Sequence, residues 1–409
     1  YDAGSEVYEL TSPEGDVYIM QSYAQIVDPT LTADALPGLG SRLDLPQGWT
    51  YSSRVLEEPI VLNVDEPIEV LQDDLQNTYS KLSDGEVDDS TEIVEIEIAS
   101  GPYTFTARTA GPESGELVLL LHGFPQTSFA WRSQLQALGE AGYYAVAPDL
   151  RGVSEGARPL GVEDYDLELH IADVLGYADA LERETFHLVG HDVGATVAWA
   201  VAAQAPERLS SLTVLSVPHP DALAEAQRDT TSCQYEASAY FETLSIQNSE
   251  DALLANDAAG LEAIYAGLQE EAIDECKAAL GNKEALGAAI NFYRANTEGG
   301  VLFGGSEPLG SIAVDTLYIY GDSDPVLCPE PAEATADLVS GNYRFEVLEG
   351  VDHWIPDRVP EIVKAMLLEH LDDNSEGEHV DTGVDDALIL TTADGVEFVR
   401  TPDEYFDSL

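Results

Sequence analysis

The stretch Phe186-His-Leu-Val-Gly190-His-Asp-Val-Gly194-Ala-Thr-Val-Ala-Trp-Ala200 decides the fold. Its apolar run at 186–189 predicts a short buried strand, and the small residues from Ala195 onward continue at helical spacing. Between them Gly190 and Gly194 flank a sharp strand-to-helix turn, the nucleophile elbow, which holds its central side chain exposed above the sheet. Ser occupies that centre in most such turns; here it is Asp192. A carboxylate attacks an alkyl carbon and becomes an ester on the protein itself, which points to an epoxide or an alkyl halide as substrate. Five residues alone also fit a Gly-rich turn with a capping Asp and no chemistry.

Three further segments favour chemistry. Upstream, Leu117-Val-Leu-Leu-Leu121 reads as a buried parallel strand, and His122-Gly-Phe-Pro125 as the loop at its carboxyl end, the edge where open α/β sheets bind ligands. The backbone N–H groups of Phe124 and Val193 are placed to form a two-donor oxyanion hole. Downstream, Leu317-Tyr-Ile-Tyr320 runs into Gly321-Asp-Ser-Asp324-Pro325, a strand that ends in acids. Gly350-Val-Asp-His353-Trp354 then forms a loop between the strand near 345–348 and a last amphipathic helix. Nucleophile, acid and histidine thus follow the order Asp192, Asp324, His353, which is the α/β-hydrolase order. Asp322 competes for the acid role, but Asp324 lies further out along the loop. His122 is expected to be structural, its ring bonding nearby backbone.

Residues 93–372 resemble the α/β-hydrolase superfamily and, within it, the branch of epoxide hydrolases and haloalkane dehalogenases. The matching stretches are His122-Gly-Phe-Pro125, Ala147-Pro-Asp-Leu-Arg-Gly152, Gly190-His-Asp-Val-Gly194, Gly321-Asp-Ser-Asp324 and Asp352-His353. The resemblance implies an α/β fold, an eight-stranded, mostly parallel sheet with a helical cap inserted at about 218–304. It also implies Asp192 as nucleophile, His353 as water-activating base and Asp324 as orienting acid, with no cofactor and no metal. Haloalkane dehalogenases typically carry Trp after the nucleophile and Asn or Trp as the second halide donor, whereas Val193 and Phe124 offer no side-chain donor. An opening epoxide leaves an alkoxide, which Tyr, with an ordinary pKa of about 10, can protonate.

Epoxide hydrolases project two such tyrosines from the cap. Ser238-Ala-Tyr240-Phe241 resembles the first motif, with Tyr235 and Tyr265 as rivals for Tyr240, and Asn291-Phe-Tyr293-Arg294 resembles the second. The aromatic residues beside these motifs, Phe124, Trp131, Phe241 and Trp354, are expected to line the substrate site. The expected function is cofactor-independent hydrolysis of a small-molecule epoxide by water. The alternatives are a haloalkane dehalogenase-type hydrolase and a catalytically idle hydrolase-fold binding domain of a larger surface protein.

Outside 93–372 the pattern changes. Residues 1–82 carry hairpin signals, Glu6-Val-Tyr-Glu-Leu10 with Val17-Tyr-Ile-Met20 and then 54–56 with 60–63 and 68–71, and read as a small β-rich module. Residues 83–92 form an acidic linker. Residues 373–409 add a second acidic linker and a hairpin-like tail around Gly395, whose last ten residues resemble the lead-in of dehalogenase-type hydrolases. Two readings of that tail stay open: it pairs with the N-terminal module, or the chain is cut from a longer polypeptide.

The 409 residues carry 77 acidic and 17 basic side chains, a formal charge of −60, and the four lysines are Lys81, Lys277, Lys283 and Lys364. Nucleic acids and anionic membranes are excluded as partners, because both require basic surface. Such self-repulsion is tolerable where salt screens it, which suggests a saline environment. No apolar stretch reaches transmembrane length. A start at Tyr1 rather than Met suggests a removed export signal and a secreted or periplasmic protein. Cys233, Cys276 and Cys328 form no metal motif. Cys233 and Cys276 both fall in the cap, where one disulfide is open to them, and Cys328 reads as a small buried or loop residue.

Overall fold

The computed structural model describes residues 92–303 and 307–375, together with the backbone of six short strands outside them. The chain divides into two units, Asp89–Gly377 and a second built from Tyr1–Asp88 with Glu378–Leu409. In the larger unit eight strands form one sheet: β1 (Val94–Ser100), β2 (Tyr103–Ala110), β3 (Leu117–Leu121), β4 (Tyr144–Pro148), β5 (Phe186–His191), β6 (Leu209–Leu215), β7 (Thr316–Gly321) and β8 (Tyr343–Leu348). Their order across the sheet is β8-β7-β6-β5-β3-β4-β2-β1. Only β2 runs against its neighbours β1 and β4; the other pairs are parallel. This is the eight-stranded, mostly parallel sheet implied by the resemblance.

The sheet is buried on both faces, which is why its central strands are apolar without alternation. In β3, Leu117, Leu119 and Leu121 enter one core cluster, while Val118 and Leu120 enter the other. Helices α1 (Arg132–Glu140), α2 (Leu167–Ala180) and α3 (Val193–Gln204) follow β3, β4 and β5 in turn. Leu135 and Leu138 of α1 belong to the second cluster, and Ile171, Val174, Val197 and Trp199 of α2 and α3 to the first.

The cap leaves the sheet after β6. It consists of α4 (Pro220–Arg228), α5 (Cys233–Ala237), α6 (Ala239–Ser245), α7 (Ser249–Ile264), α8 (Glu270–Leu280) and α9 (Lys283–Asn296), and ends in a hairpin of Thr297–Glu298 with Val301–Leu302. After β7 comes α10 (Pro329–Ala334), and after β8 come α11 (Ile355–Arg358) and α12 (Pro360–Asp372). Val363, Met366 and Leu367 of α12 join Leu135 and Leu138 in the second cluster. Among the described residues no helix is long and apolar enough to cross a membrane.

One expectation is corrected. Cys233 pairs with Cys328, and Cys276 is buried and free. The cap folds back so that the start of α5 lies 6.3 Å, Cα to Cα, from the loop beyond β7, whereas α8 turns Cys276 inward against Tyr265.

In the second unit, Tyr8–Thr11 pairs antiparallel with Val17–Met20 and with Thr50–Ser52, which also pairs with Ile60–Val61. Leu388–Thr391 pairs antiparallel with Glu397–Arg400. The expected strands at 54–56 and 68–71, the linker residues 83–91 and 376–386, and the tail 401–409 lie outside the described residues.

Candidate active site

Asp192 joins β5 to α3 at φ 52°, ψ −118°, a strained conformation for any residue with a side chain. Two glycines make the turn fit. A Cβ on Gly194 would lie 2.1 Å from the Leu121 carbonyl oxygen, and one on Gly123 would lie 2.4 Å from the Asp192 Cβ. Close approach therefore explains both glycines. The Asp192 carboxylate meets the loop after β3, where the Phe124 N–H donates to Oδ1 at 2.7 Å. Val193 begins α3, whose first-turn N–H groups have no acceptor within the helix. His122 is tied to backbone on both ring nitrogens, to the Gly123 carbonyl at 2.8 Å and the Leu150 N–H at 3.0 Å.

His353, in the loop after β8, reaches between two carboxylates. Its Nε2 lies 3.3 Å from Asp192 Oδ2, and its Nδ1 lies 2.6 Å from Asp324 Oδ2. Asp324 fixes its other oxygen on the N–H groups of Val326 (2.8 Å) and Leu327 (3.1 Å). Asp322, the rival acid, instead accepts the Gly350 N–H at 2.7 Å. The His353 backbone carbonyl accepts two hydrogen bonds, from His191 Nε2 at 2.8 Å and Ser216 Oγ at 3.0 Å. Sequence reading missed both holders: His191 was visible only as a neighbour of the nucleophile, and Ser216 carries no motif.

These contacts set the charges. Burial lowers the His353 pKa, but Asp324 and then Asp192 outweigh it and raise the pKa to about 10. For Asp192 burial acts upward, and the hydrogen bond and charge of His353 overcome it, leaving the pKa below its ordinary value. His191, buried beside the charged ring, is pushed down to about 4. At neutral pH the site is a carboxylate, an imidazolium and a second carboxylate in a row, with a neutral histidine behind them.

Above Asp192 the cap closes a small cavity of about 20 Å³, lined by Asp192, His353, Tyr240 and Tyr293 together with an apolar wall. The two tyrosine rings lie 6.3 Å apart, centroid to centroid. Burial, and next the charge on Asp192, push both phenol pKa values well above 10. Both remain proton donors. Tyr235 is exposed, and Tyr265 donates to the Pro125 carbonyl at 2.6 Å, so neither rival reaches the cavity.

Phe241 lines the cavity, and Phe124 packs edge-on against Tyr293 at 5.4 Å. Three of the four expected lining residues, Phe124 among them, do not line it. Trp131, at the start of α1, is drawn into the second core cluster with Val118 and Leu135. Trp354 packs behind the site against the rings of His353 and His191. The wall is built instead by Val217, Leu223, Phe292, Leu302 and Leu327. Phe292 and Leu327 adjoin motifs already noted; Leu223 and Leu302 carry no signal beyond being apolar. The cluster Cys233, Cys328 and Glu330 has a metal-ligand arrangement, but the disulfide consumes both of its thiols.

The family model of the alpha/beta hydrolase fold matches residues 116–357. The AB hydrolase superfamily protein YfhM of Bacillus subtilis is 31% identical over 276 residues, covering 66% of this chain and 94% of the relative. Epoxide hydrolase A of Mycobacterium tuberculosis is 30% identical over 305 residues, covering 64% of this chain and 92% of its own. Among solved structures, epoxide hydrolase A from Mycobacterium thermoresistibile superposes with a TM-score of 0.61 at 25% identity, over 69% of this chain and 99% of that one. A Bacillus megaterium epoxide hydrolase in complex with an inhibitor gives 0.61 at 26%, over 68% and 100%.

The shifted pKa values make a stability prediction. The His353 contribution is complete below 6.5 and is lost as the pH rises through about 10. The Asp192 contribution is present above 3.8 and lost as the pH falls below it. The wild-type melting temperature should therefore decline between pH 6.5 and 10, by the equivalent of a few kcal/mol at most. In His353→Gln that decline should be shallower. Equal slopes in the two proteins would count against the ion pair.

Proposed function

The chain belongs to the α/β-hydrolase fold family, and on that premise we propose that it hydrolyses epoxides to vicinal diols through an ester on Asp192. The observation that carries this reading is one cavity lined by a buried carboxylate, a histidine and two protonated tyrosines. Asp192 Oδ2 attacks an epoxide carbon, forming the ester C–O bond as the ring C–O bond breaks. Tyr240 and Tyr293 meet the departing oxygen, and one of them gives it a proton. Oδ1, held by the Phe124 N–H, becomes the ester carbonyl oxygen. Val193 supplies the second N–H when that oxygen gains charge during hydrolysis.

Proton bookkeeping closes on this scheme. In the resting site His353 holds a proton and is no base. Esterification removes the charge on Asp192, one of the two carboxylates that keep the imidazole protonated. Its proton then returns, through water, to the tyrosinate left by ring opening. The neutral imidazole, oriented by Asp324, takes a proton from the attacking water as hydroxide adds to the Asp192 Cγ. Collapse of the tetrahedral intermediate expels the diol oxygen, which picks up the remaining acid proton. Asp192 is again a carboxylate and His353 an imidazolium. Dehalogenation has less support, because neither Phe124 nor Val193 offers a side-chain N–H to a halide.

The net charge is read as fitting the protein to a saline medium. Acid–acid repulsion that destabilises it in dilute buffer is screened when the Debye length falls to about 3 Å at 1 M salt.

Three outcomes are expected. His353→Gln should still be alkylated but not turn over, so mass spectrometry after incubation with an epoxide should find the adduct on the Asp192 peptide. An unmodified peptide, with active wild type, would falsify the nucleophile. Tyr240→Phe and Tyr293→Phe should each slow ester formation by roughly ten- to a thousand-fold, and the double variant should nearly abolish it. Near-normal turnover by the double variant would reduce the tyrosines to packing. The melting temperature should climb with NaCl into the molar range; a flat or falling curve would remove the saline reading.

A further inference from the structure

Residues 326–328 form the cradle of Asp324. Two of their N–H groups hold its Oδ1, which leaves Oδ2 for His353. The cradle is itself gripped from two sides. From β7, the Tyr320 hydroxyl donates to the Leu327 carbonyl at 3.0 Å. From the cap, Gln234 Nε2 donates to the Val326 carbonyl at 3.0 Å, and its Oε1 accepts the Cys328 N–H at 2.9 Å. Next to it the Cys233–Cys328 bridge ties α5 to the same loop.

Gln234 is fully buried, and its amide also faces the other way. Nε2 donates to Ser238 Oγ at 2.8 Å, and Gln227 Nε2 donates to that same oxygen at 3.0 Å. Ser238 begins the turn into α6, whose second residue is Tyr240. One amide therefore touches both the loop that aims the acid and the segment that carries the first cap tyrosine.

The geometry points to Gln234 and the Cys233–Cys328 bridge as positioning residues for the reaction, holding Asp324 and Tyr240 in fixed register across the cavity. The part concerning Tyr240 rests on the epoxide reading; the part concerning Asp324 and His353 does not. A disulfide stabilises chiefly by restricting the unfolded chain, so lowered stability after its loss would not by itself report positioning. Gln234 adds no cross-link. Its loss strands a buried N–H and a buried carbonyl, which the loop can satisfy only by moving, and Asp324 moves with it. Cys233 is the exposed end of the bridge, so a soluble dithiol can reach it. In that reaction the dithiol passes two electrons and two protons to the cysteines and closes into its own cyclic disulfide.

The test uses the full chain as wild type, Gln234→Leu, Cys233→Ala/Cys328→Ala, and wild type reduced with dithiothreitol. Histidine-labelled NMR titration follows His353, and single-turnover kinetics with an epoxide separates ester formation from ester hydrolysis, all well below melting. Each altered form should lower the His353 pKa by about one unit and slow ester hydrolysis by roughly tenfold, a partial loss of the roughly hundred- to ten-thousand-fold that a positioned general base contributes. Ester formation should slow as well, with kcat falling more than KM rises. Wild-type titration and wild-type rates in all altered forms, even with lowered melting temperatures, overturn the proposal. If Gln234→Leu fails to fold, Gln234→Glu, which keeps an acceptor for the Cys328 N–H and removes the donor to the Val326 carbonyl, carries the same comparison. If wild type opens no epoxide, the function fails, and the His353 titration still decides this inference.

Discussion

A cation held between two buried carboxylates organises this site. His353 stands 2.6 Å from Asp324 and 3.3 Å from Asp192, and three ionised groups out of water are tolerated only when every remaining lone pair is satisfied. Each carboxylate accordingly has a backbone donor besides the imidazolium. Asp324 takes two backbone N–H groups, Asp192 takes one from Phe124, and the His353 carbonyl takes His191 and Ser216. The loops after β3, β7 and β8 are thus fixed by the charges they enclose.

The cap is fastened to the same loops. Tyr265 bonds the Pro125 carbonyl beside the Phe124 donor, Arg358 of the histidine loop's helix bonds the Gly267 carbonyl, and Cys233 is joined to the acid loop. The apolar core continues from α2 and α3 into the cap through Phe241, Leu244 and Tyr293. In the proposed reaction the tyrosines are therefore held by the elements that also hold the triad.

What could be read from sequence was what local geometry forces. The elbow demands small residues where backbones nearly touch, so Gly190 and Gly194 were legible around Asp192, whereas the close approach of Gly123 to Asp192 required coordinates. The apolar runs of β3 and β5 follow from burial on both faces. Asp324 could be preferred to Asp322 by its place along the loop, but the reason, that Asp322 caps Gly350, required coordinates. The cysteine pairing was illegible because it depends on how the cap returns across 95 residues. Trp131 and Trp354 adjoin motifs in sequence, yet their large rings turn into the core and behind the histidine. The wall residues Leu223 and Leu302 were invisible for the opposite reason: nothing separates an apolar residue facing a cavity from one facing a core.

That wall has an evolutionary consequence. Val217, Leu223, Leu302 and Leu327 come from four separate segments, and their apolar side chains offer no hydrogen bond to the charge row beneath, which only the Leu327 backbone N–H reaches. Selection can reshape the chamber one side chain at a time while inheriting the chemistry intact.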